Sequence, residues 1–194
     1  MHNKKKKEPI RITKVGESEW PYLDKADYQF DHRGIFHTKL ILPLHDAEPE
    51  INYIDGLIKS LKEDWAKTHG VAKKMPELKL PYEKLGDTVK FNFKLYASNQ
   101  KKDGSTFTQR PDLKDRDNQS FPQDQQIWSG STMRIAYEPV PYCQSGTGMG
   151  VSLRLKGAQI IELKQGGGID FAPVTTPEKT NGSSSLPSDG PERF

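Results

Sequence analysis

Only one residue of the 194 is a cysteine, Cys143, so no internal disulfide forms and a zinc cluster of several thiolates from one chain is excluded. Long apolar runs are missing too. Lys4 to Lys7 are followed by Glu8, Pro9 and a mixed segment where a secretory leader would be apolar, so neither a leader nor a membrane span is read. Hydrophobic residues are scarce, 33% against 28% charged, which leaves material for one core and polar ends. A chain of this length suits a single domain. Net charge is small at +3 but unevenly placed, with Lys4 to Lys7, Arg11 and Lys14 crowding the start.

The constellations of an enzyme are also lacking. No nucleophile stands with a base, no carboxylates pair in a recognisable pattern, and Asp and Glu are scattered over polar segments. His32, His37 and His45 fall on a loop, in a strand and near a helix start, so no metal is expected. The run Gly146 to Gly150 lacks the Lys and Ser or Thr of a phosphate loop and reads as a turn between strands. The expectation is a non-enzyme without cofactors.

What is present is periodicity. Ile35 to Pro43 reads as a first strand, and Thr88 to Ala97 alternates cleanly, with Val89, Phe91, Phe93 and Leu95 opposed to Lys90, Asn92, Lys94 and Tyr96. Thr132 to Tyr137 and Val151 to Lys156 alternate likewise, and Ile160 to Leu163 adds a short strand. From Ala47 to His69 the residues Ile51, Ile54, Ile58, Leu61 and Trp65 recur at helical spacing, with Asp46, Glu48 and Glu50 at the positive end of the dipole. Gln100 to Gln126 is almost wholly polar and reads as an extended hairpin or mobile loop. Short strands with one helix suit an all-β closed barrel with one attached helix, long loops and disordered termini. The boundaries read as a flexible basic arm over 1–15, a folded domain over 16–171, and a disordered tail over 172–194 dominated by Pro, Thr, Ser and Gly.

The polar faces of these strands carry Lys90, Lys94, Arg134, Arg154 and Lys156, with Tyr96 and Tyr142 nearby. Cations attract phosphates and aromatic rings stack bases of any identity, a pairing that suits single-stranded nucleic acid. Water-facing strands carry Lys and Arg in any case, and a tyrosine at a sheet edge often packs on a neighbour, so spacing leaves both readings open.

A series of short motifs runs through Pro21-Tyr22 with Lys25 and Asp27-Tyr28, Arg33-Gly34, Pro81-Tyr82, and the stretch FNFKLYAS from Phe91 to Ser98. The series continues through Gly130-Ser131, Val140-Pro141-Tyr142, the strand GVSLRL, Glu162-Leu163, Gly166 to Gly168 and Asp170-Phe171. The resemblance these motifs carry is to the phage replicative single-stranded DNA-binding proteins of the T-seven type. It implies a five-stranded OB-fold barrel that coats, protects and anneals single-stranded DNA during phage replication, recombination and repair, in the cytoplasm of the infected bacterium. Carried over by motif, the DNA contacts are Arg33, Lys94, Tyr96, Arg134 and Tyr142, joined by Lys4, Lys5, Lys6 and Lys7 of the arm; Lys90 and Arg154 come from the strand faces. The resemblance also implies a homodimer, and a phage DNA polymerase or helicase-primase met through the tail and Phe194. Family tails are strongly acidic, whereas this one sets only Glu178, Asp189 and Glu192 against Lys179 and Arg193. A different class of function, an OB-fold adaptor for structured RNA or an acidic protein, fits the same basic face.

Overall fold

Alternation of apolar and polar residues decides where the sheet lies. In the computed structural model, which describes residues 7–70, 74–101, 103–122, 125–144 and 146–165, Ile35–Pro43 forms β3, burying Phe36, Thr38, Leu40 and Leu42. It pairs antiparallel along its whole length with β6, Thr88–Tyr96, which buries Val89, Phe91, Phe93 and Leu95. β6 follows the sequence pattern because one face alone is apolar, and β3 because its apolar content fills the core side, with Ile35 and Ile41 half-buried on the other.

Two strands lie ahead of β3. Arg11–Ile12, read above as part of a flexible arm, is a short strand, β1, paired with Tyr137 and Ala136. Gly16–Asp27 is a long strand, β2, so Ile35–Pro43 is not the first. Register shifts between Glu19 and Tyr22 and between Tyr22 and Asp27 break its alternation, which is why periodicity passes it over.

The helix α1 runs Leu44–His69, three residues earlier than the periodicity implies. Pro43 closes β3 and leads directly into the first turn, where the Leu44 N–H donates to the Asp87 carbonyl at 2.8 Å. Ala47, Ile51, Ile54, Ile58 and Trp65 are buried. Glu50 is buried as well, because Arg11 and Tyr137 reach it from the sheet.

Short strands β4, Leu78–Lys79, and β5, Tyr82–Leu85, precede β6. The polar stretch after β6 folds into the hairpin β7–β8, Ser98–Gln100 against Thr106–Thr108, and then β9, Asp112–Lys114. The final pair is long: β10 covers Thr132–Gln144 and β11 covers Gly148–Glu162. Two expected strands thus merge into β11, bent where its register against β10 shifts between Ala136 and Tyr137. Gly146 and Thr147 turn the chain between them.

The fold is mostly β with one helix. Strand β10 pairs with both β2 and β11, β2 with β3, β3 with β6, and β6 with β11, so the pairings return to their start. The buried side chains of these strands meet those of α1 in one cluster that includes Leu23, Leu40, Ile54, Phe93, Ile135 and Leu153.

Candidate nucleic-acid interface

On β6 the polar alternates face away from the core, and Lys94 is exposed beside its strand neighbours. Pairing aligns one row across five strands: Glu138 opposite Arg154, Arg154 opposite Lys94, Lys94 opposite His37, and His37 opposite Tyr22. Residues paired in register share a face, so these five side chains belong to one surface.

A groove crosses this surface. Its first part is lined by Lys79, Asn92, Lys94, Tyr96, Tyr142 and Gln144. A second part, lined by Asn99, Phe107, Gln109 and Arg154, meets it at Lys94, Tyr96 and Ser152. Cations and aromatic rings therefore line one continuous groove that includes Tyr142 and Phe107. The floor depends on Gly150: a Cβ there would lie 2.3 Å from the Lys79 carbonyl oxygen and 3.1 Å from the Tyr142 Oη. Glycine lets β4 approach β11 and carries Lys79 to the wall.

Tyr96 is held from one side. The Arg33 guanidinium stacks 3.9 Å from its ring centroid and is fixed by Asp31, whose carboxylate accepts from Nε at 3.0 Å and from Nη2 at 2.7 Å. Hydrogen bonding to Arg33 holds the Asp31 carboxyl well below the usual range. Arg33 thus orients the ring, and its charge is already matched.

Electrostatics concentrate at Glu138, which is almost fully buried. Burial pushes its carboxyl up, but the Lys156 ammonium at 2.7 Å, with Lys7 and Arg154, outweighs this and holds it below its ordinary value. Arg154 stands 3.9 Å from the same carboxylate. An ionised Glu138 therefore gathers cations at the end of the groove.

Arg134 lies elsewhere. It shares a face of β10 with Tyr142 but stands eight residues away, roughly 26 Å at the rise of a strand. Its Nε donates to Gln159 Oε1 at 2.6 Å in a separate cleft with Ile10, Ile12, Lys114 and Lys156. Lys156, which lines that cleft, shares Glu138 with Arg154 of the groove. Lys90 precedes Lys94 by four residues on the same face and is half-buried against Glu19 at 2.8 Å, a carboxylate also 3.8 Å from Lys39. Lys7 is exposed; Lys4, Lys5, Lys6 and Phe194 lie outside the described residues.

The histidines do not converge. His37 stacks on Tyr22 with centroids 4.9 Å apart and lies 3.5 Å from Asp27, while His45 neighbours Asp46 and His32 neighbours Asp31. Among the described residues no group of three or more metal-ligating side chains is arranged to hold an ion, and no helix is long and apolar enough to cross a membrane.

Sequence reasoning missed Lys79, Phe107 and Glu138. Phe107 stood in a stretch too polar to suggest a strand, and Glu138 gained meaning only from the pairing of β10 with β11.

Comparison with known proteins bears on this surface. Residues 15–163 match the family model described as "Single-stranded DNA-binding protein, Bacteriophage T7". The crystal structure of gp2.5, a single-stranded DNA-binding protein encoded by bacteriophage T7, is 25% identical and superposes with a TM-score of 0.68, covering 83% of this chain and 90% of its own. The single-stranded DNA-binding protein of bacteriophage Enc34 in complex with single-stranded DNA has the same fold, with TM-score 0.57, 15% identity, and 82% and 89% coverage. No curated protein matches. With most of its length matched by that model, the chain belongs to the bacteriophage T7 family of single-stranded DNA-binding proteins.

Proposed function

We propose that this chain coats single-stranded DNA without catalysis, holding the strand in the groove of Lys94, Tyr96, Arg154 and Tyr142. The observation that carries this reading is the meeting of two exposed cations and two rings on one continuous path. Phosphates are drawn by Lys94 and Arg154, and bases stack on Tyr96 and Tyr142, so binding tolerates any sequence. Arg33 acts through the Tyr96 ring it supports. The closed cycle of pairings through β2, β3, β6, β11 and β10 supports an OB-type barrel of five principal strands.

The arm cations Lys4 to Lys7 add phosphate contacts, an assignment supported by the placement of Lys7 within electrostatic reach of Glu138. Lys90 and Arg134 contribute to the wider field, each with a partner of its own. In the infected bacterial cytoplasm the protein serves replication, recombination and repair, with Phe194 meeting the polymerase or helicase-primase and a second copy forming a dimer. Family membership supports this reading. A mobility-shift titration against single-stranded DNA, single-stranded RNA and duplex of equal length tests the central reading. Single-stranded DNA is expected to bind tightest; equal affinity for duplex refutes it.

A further inference from the structure

The row through Lys94 does not end at the groove. It continues over His37 to Tyr22, two strands away and roughly 10 Å further on. Tyr22 is 41% exposed, Trp20 is 64% exposed and Trp128 is 43% exposed, and the three rings line a single cleft. The third tryptophan, Trp65, is buried on α1 itself.

Trp20 is there for a reason other than packing. Four residues of β2, Glu19 to Tyr22, stand opposite three on β3, Lys39 to His37, which makes a bulge. Trp20 occupies it with φ +51°, a left-handed conformation that favours glycine and is an outlier for a bulky side chain. The surrounding structure holds it: the Trp20 N–H donates to Ser129 Oγ at 2.9 Å, and Gly130 and Ser131 bond Ser18 on either side. Strand β2 and the turn ahead of β10 thus cooperate to hold large apolar rings partly in water. Strain of this kind persists at binding surfaces.

We infer that Trp20, Tyr22 and Trp128 form a second base-stacking platform, which takes the nucleotides of a single strand leaving the Lys94–Tyr96 groove across His37. The inference rests on the groove proposed above. Charge distinguishes this platform from the groove: Lys25 and Asp24 line the cleft together, so stacking rather than phosphate attraction must supply the contact.

The test compares the full chain with a Trp20→Asn/Trp128→Ala variant, Asn being tolerant of the left-handed backbone. Oligothymidylates of about 5 and about 25 nucleotides lie near the lower end of, and beyond, the roughly 4–16 that an OB fold covers. The variant is expected to lose about tenfold or more in affinity for the long strand while keeping that for the short one. The slope of affinity against salt should stay unchanged, and quenching of tryptophan fluorescence by the long strand should disappear. Thermal unfolding of the variant checks that it remains folded. Unchanged affinity for the long strand overturns the inference, and so does an equal loss for both lengths. A Lys94→Ala/Tyr142→Ala variant separates the two levels. If it weakens both oligonucleotides while the tryptophan variant weakens neither, the platform fails and the groove stands; if it weakens neither, the groove itself fails.

Discussion

Replacing Glu138 by Gln should strengthen binding of single-stranded DNA while slightly weakening the fold. The carboxylate side chain is 5% exposed, and it holds Lys156 at 2.7 Å and Arg154 at 3.9 Å, with side chains 31% and 49% exposed. Glutamine keeps the shape but removes the charge that competes with phosphate for these cations. Because Lys156 and Arg154 both reach water, losing the pairs should destabilise the protein by only about 1 kcal/mol. Each cation freed to neutralise a phosphate adds about 0.7 to the slope of log affinity against log salt for single strands. The two together therefore steepen it by up to about 1.4. Fluorescence titrations with oligothymidylate at four or more salt concentrations read this directly. A slope equal to or shallower than that of the unaltered protein refutes the idea that Glu138 stands in for phosphate.

Further expectations follow from the same geometry. Tyr142→Ala should weaken binding by about 1–3 kcal/mol, and Tyr142→Phe should retain most of it, because the ring rather than the hydroxyl meets the base; anisotropy titration distinguishes them. Glu50→Gln removes the charge that accepts from Arg11 Nε at 2.7 Å and Nη2 at 3.0 Å and from Tyr137, so stability should fall by about 2–3 kcal/mol and proteolysis near β1 should accelerate. Stability should also decline in acid. Lys90 holds Glu19 below its ordinary 4.5, Lys156 overcomes burial to do the same for Glu138, and Arg33 holds Asp31 below 3.8. Their contribution is complete above those ordinary values and is lost as pH falls through the lowered ones, which urea unfolding across that range measures.

How legible all this was in the sequence differed from element to element. Strands β3 and β6 were readable because each is short, rich in apolar residues and turns a largely apolar face inward. Strand β2 was not, since bulges at Trp20 and beyond Tyr22 destroy the period that betrays a strand. Glu50 looked like a surface residue at the start of a helix, as its partners Arg11 and Tyr137 lie 39 and 87 positions away. For the groove, alternation identified the outward residues but not where along a strand they sit. Lys94, Tyr96, Arg154 and Tyr142 converge because β6, β11 and β10 bring their corresponding stretches together. Arg134 faces the same way on β10 yet stands too far along it. The exposed Trp20 and Trp128 escaped notice, because their juxtaposition depends on the bond between the Trp20 N–H and Ser129 across 109 residues.

The path of the DNA is open to direct measurement by photo-cross-linking the full chain to oligothymidylate and mapping the adducts by mass spectrometry. Adducts should concentrate on Lys94, Tyr96 and Tyr142 and vanish as salt rises. Adducts confined to the outer side of α1, at residues such as Lys59 and Lys62, would contradict a strand lying in the groove.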